Sequence, residues 1–395
     1  MISFSKLLLN QQHFGDSLRY HPDVQGMSRG TTTGKGPIVV WNCTRTCNLN
    51  CKHCYAEAVN TYRSGELSTE EAKHFMETLV SYKVPVLLFS GGEPLMRKDI
   101  FDLIKYGNQI GLRMVISTNG TLIDRDKARL IKELGISYAG ISLDGLNEVN
   151  DSFRGVPGAF EKAMEGFQNC QEAGQKTGLR LTLNKANLQE LPAIFDLIEK
   201  ERIQRVCFYH LVYSGRGSNI ANEDLTHKET RKALDFIIEK TMDFHSRGIE
   251  TEILTVDNHC DGIYLYKYMK NRDKEQSVKI LSLITANGGN RSGSAISSVD
   301  WEGNVYIDQF TRDLPLGNIR EKSFGEIWDG VDNPFLEMLR DRKKHLKGRC
   351  ASCSWLEQCN GNFRARAQST GDIWASDPAC YLTDEEIGTN ALIEY

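Results

Sequence analysis

The sequence predicts a parallel α/β barrel, or part of one, followed by a smaller cysteine-rich domain. Six short apolar runs alternate with helical stretches between residues 37 and 212. The runs are apolar at nearly every position, which is typical of strands buried on both faces of a parallel sheet. Polar residues follow the ends of these runs, where the active sites of barrels built from β/α units lie. The predicted strands cover 37–43, 84–90, 112–118, 138–143, 179–184 and 205–212.

Helices are predicted between these strands from their capping residues. Residues 68–82 begin with Ser68 and Thr69 and continue with acidic side chains, as helix starts do. Residues 125–135 and 158–174 each end on a glycine, which favours a helix stop. Six β-then-α units of this regularity predict parallel strands joined by helical crossovers.

The pattern changes after the sixth strand. A helical segment (226–247) precedes an apolar run (251–257), and the lysine-rich residues 267–279 are predicted as an exposed helix or linker. Residues 296–308 predict a β-hairpin that turns at 302–304. We therefore expect three parts: an N-terminal extension (1–36), the barrel (37–280) and a smaller α+β domain (281–395).

Composition and charge are those of an ordinary globular protein. The 395 residues are 40% hydrophobic and 25% charged, and the net charge of −4 gives no electrostatic reason to bind nucleic acid or an anionic membrane. No run approaches the ~20 apolar residues that cross a bilayer, and the N-terminus does not resemble a signal peptide. We predict a cytoplasmic protein with no nucleic-acid or membrane partner. In that reducing compartment, eleven cysteines favour metal ligation over disulfides.

Three cysteines form a CX3CX2C motif after the first predicted strand: Cys47, Cys51 and Cys54. A structural zinc site needs four ligands, usually as two separated pairs. Three cysteines on one tight loop suit one face of a cubane iron–sulfur cluster and leave one iron open. Cys43 lies inside the predicted strand, and we expect it to be a buried core residue because cysteine often behaves as a small hydrophobe.

Together with "SGGEP" (90–94) and "SLDG" (142–145), this motif resembles the radical SAM superfamily. The resemblance implies a partial (β/α)6 TIM-like barrel of radical SAM type. It also implies a [4Fe–4S] cluster whose open iron binds the amino and carboxylate groups of S-adenosylmethionine (SAM). Reductive cleavage of SAM would then give a 5′-deoxyadenosyl radical.

The resemblance also implies which side chains contact SAM. The backbone of "SGGEP" and Glu93 would receive the amino group, and Arg154 would pair with the carboxylate, since a zwitterion needs an acceptor and a guanidinium donor. Alone, each residue is an ordinary strand-end residue, and the prediction depends on their joint occurrence. The predicted contacts are Tyr55, Gly91, Gly92, Glu93, Ser142, Asp144, Arg154, Asn184 and Val212.

A second cysteine group lies near the C-terminus. Cys350, Cys353 and Cys359 form a CX2CX5C motif, and Cys380 is a distant fourth. Four cysteines also suit a zinc knuckle. However, the preceding phrase "LGNIREKSFGEIW" resembles the SPASM/twitch extension of radical SAM enzymes, which holds auxiliary [4Fe–4S] clusters.

The C-terminal domain departs from the full SPASM pattern at two positions. Asp308 and Phe363 stand where further cysteines of such a domain would lie. The remaining four cysteines support one auxiliary cluster with complete protein ligation. Complete ligation predicts electron relay or scaffolding rather than substrate binding at this cluster.

The stretches "GPIVVWNCTRTCNLNCKHCY" (36–55), "VDWEGNVYIDQF" (299–310) and "LGNIREKSFGEIW" (316–328) together resemble the NirJ/AhbC group, which acts on siroheme-derived tetrapyrroles in heme or heme d1 synthesis. The resemblance extends over essentially the whole chain. The resemblance implies didecarboxysiroheme as the substrate and a low-potential electron donor such as ferredoxin or flavodoxin. One branch removes two acetate groups to give Fe-coproporphyrin III; the other replaces two propionates with oxo groups. A SPASM-type peptide maturase and a non-enzymatic iron–sulfur electron carrier are the alternatives.

An iron macrocycle with several carboxylates should contact arginines, apolar walls and an axial ligand or proton donor. No catalytic residue is identified by the sequence, although His210, His259 and Arg291 are candidates. Each histidine could instead be a packed, hydrogen-bonded residue. The other candidate substrate contacts are Arg216, Arg312, Arg364 and Arg366.

Overall fold

The computed structural model describes residues 1–13, 15–20, 30–31, 36–330 and 333–388. Its main element is one 11-stranded sheet. The strands are β1 (Ile2–Ser3), β2 (Ile38–Thr44), β3 (Leu87–Gly91), β4 (Met114–Thr118), β5 (Ala139–Ser142), β6 (Thr177–Leu183), β7 (Arg205–His210), β8 (Glu252–Val256), β9 (Ile296–Val299), β10 (Asn304–Tyr306) and β11 (Gly317–Asn318).

The strand order is β1-β8-β7-β6-β5-β4-β3-β2-β9-β10-β11. Strands β2 to β8 pair in parallel with their sequence neighbours, so all six predicted barrel strands are confirmed. The apolar run predicted at 251–257 contains β8, a seventh parallel strand. The polar ends of these strands therefore meet at one rim of a partial barrel.

Helices cover the sheet and include those predicted at 68–82, 125–135, 158–174 and 226–247. The lysine-rich residues 267–279 span the end of one helix and the start of the next. The helices are α1 (Phe4–Leu9), α2 (Asp16–Arg19), α3 (Thr69–Ser81), α4 (Ile100–Gln109), α5 (Arg125–Glu133), α6 (Asn147–Arg154), α7 (Ala159–Glu172), α8 (Leu191–Lys200), α9 (His227–Ser246), α10 (Cys260–Lys270), α11 (Lys274–Asn287), α12 (Phe324–Asp329), α13 (Pro334–Arg340), α14 (Leu356–Cys359), α15 (Arg364–Gln368) and α16 (Asp384–Ile387).

The first strand of the barrel is fixed by its aromatic core. Trp41 is fully buried, with its ring centroid 5.6 Å from those of Phe75 on α3 and Phe89 on β3. Cys43 on the same strand is fully buried, as predicted, and its thiol donates to the Ser90 carbonyl over 3.4 Å. This packing holds the end of β2, and the loop that follows it, against β3.

The C-terminal part of the chain continues the barrel sheet. β9 pairs in parallel with β2, and the predicted hairpin at 296–308 is confirmed as β9 and β10, which pair antiparallel. The domain boundary predicted near 280 lies within α11, which runs unbroken across it. Within the described ranges, no helix is long and apolar enough to cross a membrane.

Candidate functional site

The CX3CX2C loop lines a cavity of about 160 Å³ at the carboxyl ends of the parallel strands, here named the barrel cavity. Eleven of the residues predicted from the sequence meet there. They are Cys47, Cys51, Cys54, Tyr55, Gly91, Gly92, Ser142, Asp144, Arg154, His210 and Val212. The structure thus brings together residues from the ends of β3, β5 and β7, from the end of α6 and from the cysteine loop.

The thiols of the loop receive hydrogen bonds from nitrogen donors. The Leu49 amide donates to Cys47 Sγ over 3.4 Å, and Arg154 Nη1 donates to Cys51 Sγ over 3.6 Å. Burial raises the pKa of the Cys47 thiol to about 12, so the free thiol is protonated at neutral pH. Nitrogen donors aimed at sulfur suit an anionic thiolate, and ligand binding there releases protons.

The donor set fits a cluster held by three thiolates. Cys47, Cys51 and Cys54 are the cysteines that line the barrel cavity. Cys43 is fully buried in the core instead. Within the described part of the chain, no three His, Cys, Asp or Glu side chains are arranged to hold a single metal ion. The thiols therefore line a cavity instead of closing on one point.

Two arginines predicted to contact substrate instead hold the cysteine loop. Arg216 donates from Nε to the Cys51 carbonyl (2.9 Å) and from Nη1 to the Ala58 carbonyl (2.8 Å). Arg312 donates from Nη1 to the Tyr55 carbonyl (3.1 Å) and lies over the Trp301 ring at 4.6 Å. These contacts order the backbone between Cys51 and Ala58.

The two glycines of "SGGEP" allow the end of β3 to lie against the loop. A Cβ on Gly91 would lie 2.5 Å from the Thr44 carbonyl oxygen, and a Cβ on Gly92 would lie 2.2 Å from that of Thr46. Gly91 also has a φ of +121°, which favours glycine. The Gly92 amide donates to the Thr44 carbonyl over 2.7 Å. Only glycine permits this approach of the two backbones.

Glu93, which the resemblance predicts as a contact to the SAM amino group, is held by hydrogen bonds within the fold. It is fully buried and does not line the barrel cavity. Its Oε1 accepts from Thr118 Oγ1 (2.7 Å) and its Oε2 accepts from the Asn119 amide (2.8 Å). Glu93 therefore orders the end of β4, where Asn119 donates from Nδ2 to Asn48 Oδ1 over 2.9 Å.

An ion pair joins the β5 end to the cysteine loop. Asp144 is fully buried, and its Oδ2 lies 2.7 Å from Arg154 Nη2 and 3.4 Å from His53 Nε2. Burial lowers the pKa of His53, whose ring stacks on Phe153 at 4.9 Å. The Asp144 Oδ1 atom accepts from the Thr182 amide over 2.9 Å, which places the carboxylate between β5 and β6.

Tyr55 and Asn184 differ in their access to the cavity. The Tyr55 hydroxyl donates to Asn42 Oδ1 over 2.9 Å, and the ring lines the cavity beside Phe310, 5.0 Å away. Asn184 is fully buried, with Oδ1 accepting from the Ala186 amide and Nδ2 donating to the Thr182 carbonyl, both over 2.9 Å. Asn184 thus shapes the turn after β6 and does not line the cavity.

The three catalytic candidates differ in whether they line the barrel cavity. His210 lines the barrel cavity, and its Nε2 lies 2.9 Å from Asp261 Oδ2. His259 and Arg291 do not line it. The His259 amide donates to Asn362 Oδ1 over 2.7 Å, and Arg291 Nη2 donates to the Gly30 carbonyl over 2.8 Å.

Arg364 and Arg366 are fully buried and do not line the barrel cavity. Arg364 donates to the carbonyls of Ile373 (2.8 Å) and Ala375 (2.7 Å). Arg366 pairs with Asp377 at 2.9 Å and donates to the Leu211 carbonyl over 3.2 Å. Arg364 thus holds the C-terminal domain together, and Arg366 joins that domain to the strand ends of the barrel.

Sequence analysis missed several polar residues that line the barrel cavity, among them Arg180, Tyr209 and Asp257. The Arg180 guanidinium lies over the Tyr209 ring at 4.9 Å. Asp257 has a φ of +67°, and its buried Oδ2 has no hydrogen-bond partner. Burial raises the pKa of Asp257 to about 6. A strained, buried carboxyl in a cavity is typical of a functional site.

The C-terminal cysteines line a second cavity, here named the auxiliary cavity. It contains all four predicted ligands, Cys350, Cys353, Cys359 and Cys380, and a fifth thiol, Cys260 at the start of α10. The Trp355 amide donates to Cys353 Sγ over 3.4 Å. Four cysteines with a nitrogen donor fit an all-cysteinyl iron–sulfur cluster.

The two positions that depart from the SPASM pattern have structural roles. Asp308 is buried, and its Oδ1 accepts from the amides of Phe310 (3.0 Å) and Thr311 (2.8 Å). The Phe363 ring packs edge-on against Phe310 at 5.5 Å. Loop capping and aromatic packing thus occupy the positions where a second auxiliary cluster would need thiolates.

Two family models match the chain. Residues 41–198 match the radical SAM superfamily, and residues 292–354 match the SPASM iron–sulfur cluster-binding domain. The Fe-coproporphyrin III synthase of Methanosarcina barkeri is 51% identical over 98% of this chain and 99% of its own length. The pre-heme d1 synthase of Dinoroseobacter shibae is 41% identical over 95% of this chain and 93% of its own length.

Solved structures agree on the fold. SuiB of Streptococcus suis, bound to its precursor peptide SuiA, matches 88% of this chain and 76% of its own with a TM-score of 0.71 and 17% identity. At this identity the likeness shows the fold alone. It confirms the parallel-stranded partial barrel.

Proposed function

Because the chain belongs to the radical SAM superfamily and carries its iron–sulfur cluster-binding SPASM domain, we propose that it removes the acetate side chains of didecarboxysiroheme to give Fe-coproporphyrin III. It is a radical SAM enzyme, with a [4Fe–4S] cluster, SAM and an auxiliary iron–sulfur cluster as cofactors. The observation that carries the proposed substrate is the 51% identity to Fe-coproporphyrin III synthase along nearly the whole of both chains.

The cluster is assigned to Cys47, Cys51 and Cys54, and the auxiliary cluster to Cys350, Cys353, Cys359 and Cys380. When bound, the first cluster and SAM supply a 5′-deoxyadenosyl radical. The ion pair between Arg154 and Asp144 presents a guanidinium to a carboxylate ligand beside Cys51. We assign this wall of the barrel cavity to SAM, with Ser142, Tyr55 and Val212 around it.

The part of the cavity lined by Arg180, Tyr209 and Phe310 suits an anionic macrocycle. Arg180 offers a guanidinium to a side-chain carboxylate, and Tyr209 and Phe310 offer ring faces or edges. Asp257, with its pKa raised to about 6 by burial, can hold a proton near neutral pH. Of the arginines predicted as substrate contacts, none lines the cavity, so Arg180 takes that role in the proposal.

Anaerobic incubation with didecarboxysiroheme, SAM and a reductant tests the proposal. We expect 5′-deoxyadenosine to form and mass spectrometry to show Fe-coproporphyrin III. The variant Cys47→Ala is the matched control and should form neither product. A product carrying oxo groups would assign the chain to the heme d1 branch, and no deoxyadenosine above the substrate-free level would overturn the tetrapyrrole substrate.

The heme d1 branch is the second candidate, supported by the 41% identity to pre-heme d1 synthase. We favour acetate removal because the identity is higher over a larger share of both chains. A peptide substrate has weaker support: mycofactocin maturase MftC of Mycolicibacterium smegmatis is 28% identical. We propose a low-potential ferredoxin or flavodoxin as the electron donor, because reductive SAM cleavage requires one.

A further inference from the structure

The auxiliary cavity contains one thiol more than a cluster needs. Cys260 is fully buried and lines this cavity with Cys350, Cys353, Cys359 and Cys380. In the sequence, Cys260 lies 90 residues before the CX2CX5C motif and gives no sign of belonging to it.

The Cys260 thiol donates to Asn258 Oδ1 over 2.8 Å, and Cys380 Sγ lines the same cavity as a second possible acceptor. Asn258 Oδ1 also accepts from Asn362 Nδ2 over 2.8 Å and from the Cys260 amide over 3.4 Å. This oxygen therefore stays hydrogen-bonded when the thiol donates to another acceptor. A cluster ligand must be a thiolate, and an anionic sulfur is a stronger acceptor than an amide carbonyl. With a cluster bound, the S–H group should therefore donate to Cys380.

Asn258 holds this arrangement in place. It is buried, and its Nδ2 donates to the carbonyl of Ala379, the residue before Cys380, over 3.0 Å. Its contact with Asn362 joins the same side chain to the segment after Cys359. One amide thus fixes Cys260 relative to the segments that carry two of the four ligands.

The turn that carries Cys260 also reaches the barrel cavity. Asp257 at the end of β8 lines the barrel cavity, and Cys260 lines the auxiliary cavity. Three Cα–Cα steps separate them, at most about 11 Å of chain. A second connection runs from His210 to Asp261 Oδ2 (2.9 Å), and from Asp261 Oδ1 to the Tyr381 hydroxyl (2.8 Å), next to Cys380. Cys260 thus lies where the two sites approach each other.

We propose that Cys260 is not a ligand but donates an S–H···S hydrogen bond to the Cys380 ligand and thereby raises the reduction potential of the auxiliary cluster. Hydrogen bonds to cluster sulfurs stabilise the more negative, reduced state, so they shift the potential upward. Cys260 is on this view a positioning residue that tunes the cluster. The inference rests on the proposed function only in that the auxiliary cavity holds an iron–sulfur cluster.

The test uses the full chain with Cys47, Cys51 and Cys54 replaced by alanine, so that only the auxiliary cluster forms. In this parent, Cys260→Ala and Cys260→Ser are compared with Cys170→Ala, a control at a buried cysteine on α7. Iron content, the EPR spectrum of the reduced cluster and its midpoint potential are measured anaerobically. We expect full iron content in every variant, a more negative potential in Cys260→Ala, and a smaller shift in Cys260→Ser because a hydroxyl can still donate.

Three results would overturn the inference. A midpoint potential equal to that of Cys170→Ala would show that the thiol does not tune the cluster, and loss of iron in Cys260→Ala would show that it is a ligand. Zinc in place of iron in the parent would overturn both the tuning role of Cys260 and the proposed iron–sulfur cofactor. The other two results would overturn the role of Cys260 alone. A second measurement avoids substitution: the Fe–S(Cys) bands in the resonance Raman spectrum of the parent should shift in D2O, and their invariance would contradict the hydrogen bond.

Discussion

Arg154 Nη2 lies 2.7 Å from Asp144 Oδ2, with both side chains buried at the wall of the barrel cavity. Since Arg154 Nη1 also donates to Cys51 Sγ, one guanidinium joins the end of β5 to the loop that we assign to the cluster. The electrostatics of the SAM site and the position of its thiols therefore depend on the same side chain.

Removal of Arg154 should be costly because it leaves a buried carboxylate unpaired. We expect Arg154→Ala to lower the free energy of unfolding by about 3–5 kcal/mol, and the double variant Arg154→Ala/Asp144→Asn to lose less. Anaerobic denaturant unfolding measures both. The control Arg125→Ala removes an exposed arginine paired with Glu172 and should change stability little. Equal losses in the single and double variants would contradict the coupling.

Asp257 should lower stability at neutral pH. The pKa of Asp257 in the fold is raised to about 6, so the folded protein binds this proton more tightly than the unfolded chain does. The resulting gain in the free energy of unfolding is fully present below about pH 4 and is lost as the pH rises through 6. We expect Asp257→Asn to be more stable than the unsubstituted protein above pH 6, by up to roughly 3 kcal/mol, with no difference near pH 4. Denaturant unfolding across this range checks it. Asp196→Asn, at an exposed position on α8, should show no such trend.

Arg180 should affect the tetrapyrrole more than SAM. A charge-assisted hydrogen bond is worth about 1.5–3 kcal/mol, so Arg180→Ala should raise the KM for didecarboxysiroheme about tenfold to a hundredfold. Arg180→Lys should recover part of the loss, and substrate-free SAM cleavage should be unchanged. The exposed control Arg129→Ala should behave like the unsubstituted enzyme. An unchanged KM in Arg180→Ala would remove Arg180 from the substrate site.

Gly92 should tolerate no side chain. The Cβ of Gly92→Ala would meet the Thr46 carbonyl, a backbone atom that cannot move without displacing Cys47. We expect loss of most SAM cleavage and a lower occupancy of the first cluster, measured as deoxyadenosine and iron. In Gly317→Ala the new Cβ meets only the Ile327 side chain, at 3.2 Å or more, so activity should persist. Normal SAM cleavage in Gly92→Ala would refute the close-approach argument.

The auxiliary cluster should be separable from SAM cleavage. Cys353→Ala removes one of the four ligands that we assign to it, so iron should fall from about eight to about four atoms per chain while SAM is still cleaved. Product formation should fail because the relay is lost. Cys170→Ser, on a helix outside both cavities, serves as the control. Unchanged iron content in Cys353→Ala would show that the cysteine is not a ligand.

Local patterns were sufficient to predict the strands and the cysteine loop. Strands β2 to β7 are continuous apolar runs, and the loop is defined by its spacing, so neither depends on distant parts of the chain. The same holds for Gly91 and Gly92, whose close approach to the backbone of Thr44 and Thr46 follows from their place at the end of β3. Ser142, Asp144 and Arg154 could be placed because the family pattern relates them to the cysteines.

Residues whose role depends on long-range contacts could not be predicted in this way. Arg180 lies in mid-strand, and whether it faces the cavity depends on the register of β6. Asp257 ends a strand beyond the six predicted, and Cys260 reaches the auxiliary cavity only because α10 packs beside the C-terminal domain. Arg366 has the charge expected of a substrate contact, but Asp377 neutralises it within the fold.

The pairing of β9 with β2 has a consequence for biosynthesis. The strand that leads into Cys47 gains its second neighbour only after residue 299 has left the ribosome, so one edge of β2 is unpaired during most of translation. An unpaired strand edge is prone to associate with other chains. We therefore expect iron to be inserted at Cys47, Cys51 and Cys54 after the chain is complete, and a chain truncated before β9 to aggregate before it acquires iron.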